Sequence, residues 1–278
     1  MENRIIIYSP SFDSSSGGII VLHKLCHILI MLGFDAYLYP MYGGDFYVND
    51  NYEFNITREV KEGDIVIYPE IVLGNPLNSK YVIRYIMNVG HITLNRKSTW
   101  GADDFWVYFS ERFYDGLKEK NILHIIDSKM TYYKDYNVER SIESCHTFRK
   151  NEQAKNDKSL HIHPSKSIEI GFNKTDEELI NIFNRCKKFY SYDTETYLNI
   201  LAALCGCESI IVPNDNFTKE DIKNKIPVCK YGIKYGDDDN IDWKGERELL
   251  INKLIELENE PYKQLIPLIG KIKKHFKL

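Results

Sequence analysis

The chain has 278 residues, 43% of them hydrophobic, which suffices for two cores at roughly 100–200 residues per domain. Its 36 Lys and Arg stand against 40 Asp and Glu, a formal net charge of −4. That balance argues against a nucleic-acid binder, which carries a basic excess.

Ile5-Ile6-Ile7-Tyr8 opens the chain as an apolar strand of the kind buried on both faces of a parallel sheet. The chain starts directly on this strand, so no leader peptide is expected. The apolar run Ile28-Leu29-Ile30-Met31-Leu32 is far too short to span a bilayer. Six cysteines are scattered through apolar patterns, which points to free thiols in a reducing, cytoplasmic setting. A loop rich in Ser ends in Gly17-Gly18, and 19–32 reads as a helix. Ile19, Leu22, Leu25, Cys26, Leu29 and Leu32 form its inward face, with His23, Lys24 and His27 toward the other side. Asp35-Ala36-Tyr37-Leu38-Tyr39 is the second strand. This βαβ opening lacks a full G-x-G-x-x-G, so it is a weak dinucleotide signal. Gly17 and Gly18 allow a ligand or a second domain to approach the backbone.

Residues 42–62 read as a long connection. Strands follow at Asp64-Ile65-Val66-Ile67-Tyr68 and Tyr81-Val82-Ile83-Arg84-Tyr85-Ile86, then at 105–109 and 122–126. Glu70, Asn88 and His91 lie just past strand ends, where open α/β sheets hold ligands. The pattern turns irregular around 129–144, and a domain hinge is expected there.

Beyond it, Cys145-His146-Thr147-Phe148 reads as a strand feeding Arg149-Lys150. Short strand-like segments at 160–164 and 167–170 precede a helix with Thr175 as N-cap and Glu178 at the capping-box position. The stretch 187–213 reads as strand, polar turn, helix, strand. Its turn holds Tyr192, Asp193, Thr194, Glu195 and Thr196, and Leu198, Leu201, Ala202 and Cys205 recur at helical spacing. Hydroxyls and free N–H groups at that helix entry suit an anion. A short helix at 217–225, a strand at 228–233, a helix at 246–258 and another at 261–276 complete the chain, with Pro267 and Gly270 expected to kink or split the last. Asp237-Asp238-Asp239 reads as an acidic turn, and His161-x-His163 lacks further ligands nearby for zinc, so no metal site is expected.

Taken together, Ser16-Gly17-Gly18-Ile19 with Leu22-His23, Pro69-Glu70 with Gly74-Asn75-Pro76-Leu77, Arg84-Tyr85 to Asn88, Phe148-Arg149-Lys150, the 190–213 stretch and Tyr231-Gly232-Ile233 resemble the GT-B fold, nucleotide-sugar-dependent glycosyltransferases of the family 1/4-like group, bacterial or viral. The resemblance covers nearly the whole chain. It implies an α/β GT-B fold, with two Rossmann-like domains facing a central cleft. Residues 1–140 would be the acceptor side and 141–260 the nucleotide-sugar side, with 261–278 as a helix crossing back toward the first domain. It further implies transfer of a sugar from a nucleoside-diphosphate sugar to a glycan or other hydroxyl acceptor, as in polysaccharide biosynthesis, without metal or other cofactor. Arg149 and Lys150 would neutralise the diphosphate, and Tyr192, Asp193, Thr194, Glu195 and Thr196 would hydrogen-bond it. Gly17, Gly18 and Asn88 would line acceptor or cleft loops. An inverting enzyme needs a general base, for which Glu70 is favoured over Asp13 and His91. Retaining members carry E-x7-E across the 193–201 segment; here the positions hold Asp193 and Leu201. That departure keeps open a non-catalytic sugar-nucleotide or glycan-binding protein of the same fold. No transmembrane segment and no nucleic-acid partner are expected, and a peripheral membrane contact is compatible with the sequence.

Overall fold

Short apolar runs bounded by polar turns form strands that sort into two five-stranded sheets. The computed structural model describes residues 3–88, 95–149, 151–194, 196–215, 218–225 and 227–278. The chain divides into a first unit, Met1–Asp127 with Leu257–Leu278, and a second unit, Ser128–Glu256. The division falls ahead of the 140/141 boundary expected above. Residues 128–141 are tied into the second unit by their own bonds: Lys129 pairs with Asp176 at 3.1 Å, the Tyr133 hydroxyl donates to Asp176 at 2.8 Å, and Arg140 donates to the Cys186 carbonyl at 2.7 Å.

In the first unit the strands are β1 (Ile5–Ser9), β2 (Ala36–Pro40), β3 (Ile65–Pro69), β4 (Tyr81–Ile86) and β5 (Phe105–Tyr108), in the order β2-β1-β3-β4-β5, all parallel. One face carries Ile5, Ile7, Leu38, Ile65, Ile67 and Ile83. Helix α1 (Gly17–Met31) covers it through Leu22, Leu25 and Leu29, and the chain's last helix adds Leu265, Leu268, Ile269 and Ile272. The opposite face, with Ile6, Val66, Tyr68 and Val82, is covered by Val72, Leu77 and Val60 from irregular segments. The strand expected at 122–126 is instead a lone bridge, Tyr108 to Ile122. His23 and Lys24 are buried rather than solvent-facing. The His23 ring lies against Phe12 and Phe46, and Lys24 reaches Glu258 at 2.9 Å.

The second unit repeats the scheme. Its strands are β6 (Ile142–Thr147), β7 (Ile168–Glu169), β8 (Cys186–Ser191), β9 (Glu208–Ile211) and β10 (Ile233–Tyr235), in the order β10-β9-β8-β6-β7, again all parallel. The run 151–158 forms a short helix, α2 (Glu152–Asn156), and 160–164 is irregular rather than a strand. α3 (Asp176–Arg185) begins on the expected capping box, with Thr175 and Glu178 each bonding the other's backbone N–H. α4 (Leu198–Leu204) stops at Gly206, whose φ of +74° suits glycine. α5 (Lys219–Lys225) follows, and the expected 228–233 strand is a 3-10 turn (Pro227–Lys230) before β10. α6 (Glu246–Phe276) runs unbroken through Pro261 and Pro267, where a break was expected.

Candidate functional site

Each sheet places its first strand between its second and third, an order in which the switch point lies between the first and third strands. Loops leaving the carboxyl ends of those two strands flank a crevice. In the first unit they follow β1 and β3, and in the second they follow β6 and β8. Of the proposed residues that are described, Asp13, Glu70, Arg149, Tyr192, Asp193, Thr194 and Thr196 fall on these four loops, Gly17 and Gly18 open α1, and Asn88 follows β4.

In the first unit, Glu70 directly follows β3 and is only 5% exposed. Its Oε2 accepts the Met87 N–H at 3.1 Å, and its own N–H donates to the Tyr85 carbonyl at 3.2 Å. Asp13 sits in the β1–α1 loop, exposed, with Oδ1 accepting from the Ser15 N–H at 2.8 Å and hydroxyl at 2.6 Å. Those bonds hold the Asp13 pKa below the usual carboxylate value. Ser16 makes no side-chain cap at the start of α1. A Cβ on Gly17 would meet nothing within 4 Å, and one on Gly18 would meet only the Met87 Cε at 3.7 Å. Asn88 is exposed. His91 lies outside the described residues.

In the second unit, register pairs Thr147 with Ser191, so Arg149 and Asp193 leave their strands side by side. Arg149 has φ +25°, a left-handed value that a side chain with a Cβ adopts only under constraint. Its Nη2 donates to the Gly171 carbonyl at a long 3.4 Å, and its guanidinium lies over the Phe172 ring at 5.3 Å. Among the described residues its buried Nε has no hydrogen-bond partner. Burial pulls the Arg149 pKa down, and Asp193 opposes that. Lys150 and Glu195 lie outside the described residues. The Ser191 hydroxyl donates to the Asp193 carbonyl at 2.7 Å, and the Thr196 N–H donates to the same carbonyl at 3.3 Å. Thr194 and Thr196 are buried. The helix entry expected at 194–196 is displaced: α4 begins at Leu198, whose N–H donates to Thr196 Oγ1 at 3.4 Å. The turn is thus closed largely on itself, and a seven-residue helix supplies little dipole. Leu201 is buried within α4.

Tyr192 is buried and points its hydroxyl at the 161–163 segment, accepting from the Ile162 N–H at 2.8 Å and lying 2.8 Å from His163 Nδ1. Around it gather residues that sequence spacing did not connect. His146 stacks on His163 at 3.8 Å and 10°, and Phe148 lies 4.9 Å from His161. Only β6 brings His146 to the other two histidines, so spacing carried no signal for it. Among the described residues no group of three His, Cys, Asp or Glu is arranged to hold a metal ion. Two of the 237–239 acids are partnered by lysines: Asp237 with Lys188 and Asp239 with Lys219, each at 2.7 Å.

No family model and no curated protein sequence matches the chain. Among solved structures, an alpha-glucosyltransferase in complex with UDP and a 13-mer DNA containing a central A:G mismatch aligns with 95% of this chain and 95% of its own. The TM-score is 0.50 and the identity 14%. The fold is GT-B-like. At that identity the likeness is one of fold, and it agrees with the α/β class expected from the sequence. UDP and DNA are ligands of that protein. No helix among the described residues is long and apolar enough to cross a membrane.

Proposed function

We propose that the protein transfers a sugar from a nucleoside-diphosphate sugar to a glycan or other hydroxyl acceptor, and so belongs to glycan assembly. The observation that carries this reading is Arg149: a strained, incompletely bonded arginine at the switch point of the second sheet, beside the Asp193–Thr196 turn. Glycosyl transfer expels a nucleoside diphosphate, so negative charge grows on the leaving phosphate. A guanidinium offers that charge a planar, bidentate donor pair. With Lys150 next in sequence, two cationic side chains take the part that a divalent cation plays elsewhere, and the reaction is metal-independent. The hydroxyls of Thr194 and Thr196 are spent on their own turn or buried, so the phosphate draws on Arg149 first.

The acceptor hydroxyl needs a base. Asp13 is exposed and its Ser15 bonds weaken its basicity. Glu70 is fixed at the carboxyl end of β3 and largely removed from water, the better setting for a carboxylate that must take a proton. A second reading, a non-catalytic sugar-nucleotide or glycan binder, rests on Leu201, which places an apolar core residue where retaining relatives carry a carboxylate.

The deciding experiment follows nucleotide release from a panel of nucleotide sugars, with and without glycan and DNA acceptors, in EDTA. Acceptor-dependent release in the chelator is expected, with Glu70→Gln lowering kcat and leaving donor affinity in place. Binding without release for every donor and acceptor would favour the second reading. Activity lost in EDTA and restored by Mn²⁺ would refute the metal-independent mechanism.

A further inference from the structure

Phe172 is 66% exposed, yet its position is fixed. The chain leaves β7 at Ile170, whose N–H donates to the His146 carbonyl at 2.7 Å. The Ile170 carbonyl accepts from the Thr147 hydroxyl at 2.8 Å. These two bonds anchor the Gly171-Phe172 step against the end of β6. The Arg149 guanidinium lies over the ring, and Arg149 also touches the Gly171 carbonyl. One aromatic face is therefore paired with the cation while most of the ring remains in water. A lone exposed phenylalanine needs no explanation in general. One held beside an under-bonded arginine at a strand-end crevice is different, because a ligand that engages the arginine lies within reach of the ring.

We propose that Phe172 is the stacking platform for the base of the donor nucleotide, coupled to the diphosphate through Arg149; this rests on the reading of Arg149 as the diphosphate contact. A nucleoside diphosphate carries its base one ribose away from its phosphates, so a single ligand can set its base on the ring while its phosphates meet the neighbouring guanidinium. The ring supplies a flat apolar surface and no hydrogen-bond donors. Stacking of this kind holds any base, so Phe172 contributes affinity and leaves the choice among bases to other groups.

Isothermal titration of the full chain separates the two contributions, with UDP, ADP and inorganic pyrophosphate as probes. Phe172→Ala should weaken both nucleotides about five- to a hundredfold and leave pyrophosphate unchanged, since pyrophosphate has no base. Phe172→Trp should keep nucleotide affinity, and its added indole emission should be quenched by UDP and not by pyrophosphate. The exposed ring predicts an unchanged melting temperature for both variants. Equal weakening of nucleotide and pyrophosphate by Phe172→Ala, or none for either, would overturn the platform. Arg149→Ala reports on the underlying reading separately: it should weaken all three probes, and unchanged pyrophosphate binding would overturn the diphosphate site whatever Phe172 does.

Discussion

A guanidinium with no exposed surface survives only if its donors are met, and Arg84 meets them within the first unit. Its Nε donates to Asp104 Oδ2 at 2.7 Å and its Nη2 to the Gly74 carbonyl at 2.5 Å, with a longer contact to the Val72 carbonyl. The rings of Tyr68 and Trp100 lie 5.0 and 5.2 Å from it. Burial lowers its pKa, and the Asp104 carboxylate opposes that shift. The same carbonyls belong to the turn that begins at Glu70, so this cation holds the segment leaving β3. Removing its counter-charge would strand a buried cation. Asp104→Ala is therefore expected to cost about 3–5 kcal/mol, read as a fall in the urea midpoint at unchanged m-value. An unchanged midpoint would show that the pair is not needed for stability. Arg149 is the contrasting case: also partly buried, but with an orphaned Nε and a strained backbone. Stability does not account for that arrangement, and the diphosphate contact proposed above would.

At the scale of elements, the two most local signals behave differently. The capping box of α3 is written into four consecutive residues and forms as written, with the Thr175 hydroxyl accepting from the Glu178 N–H at 3.2 Å. Thr175→Ala should cost about 1 kcal/mol, measurable by chemical denaturation, while Thr175→Ser should cost much less. The histidine cluster is the opposite, since three segments must fold before it exists. Burial first, and then the neighbouring His163 and His161, push the His146 pKa down to about 4. The groups facing the cluster are the Tyr192 hydroxyl, the Ser167 hydroxyl and the Ala154 carbonyl, with Asp157 near His161. A folded pKa below the unfolded value of roughly 6.5 means the folded state resists protonation. Its contribution is complete above about pH 6.5 and is lost as pH falls from there toward 4. The melting temperature should drop on acidification across that window. His163→Phe, which keeps a stacked ring and removes a charge, should flatten the slope. A slope equal to that of the wild type would show that His163 adds nothing to the acid sensitivity that burial of His146 creates.

For the molecule as a whole, the C-terminal helix decides which residues complete the first core. Leu265, Leu268, Ile269 and Ile272 are buried among α1 and the first sheet, about 240 residues from the α1 residues they touch, so this core closes a very long loop. Leu268→Ala should cost about 2–5 kcal/mol, and hydrogen exchange should quicken in β1 and α1 before it does in β6 and β8. Uniform acceleration across both units would contradict the assignment of Leu257–Leu278 to the first. The strands whose side chains are apolar on both faces and the capped helix α3 were legible from the sequence. In each case the deciding forces act within a few residues or through burial periodicity. The sequence also placed Glu70 and Arg149 at strand ends, because a strand end is visible where an apolar run stops. The unbroken α6 was not legible, because tertiary packing of its apolar face outweighs the local cost of Pro261 and Pro267. The late start of α4 was not legible either, because Thr196 and Asp193 bond within the turn instead of extending the helix. Strand order, the burial of His23 and Arg84, and the placing of His146 and Phe172 beside the candidate site depended on tertiary structure alone. Each needs segments far apart in sequence to meet, and no local pattern encodes which parallel strands will be neighbours.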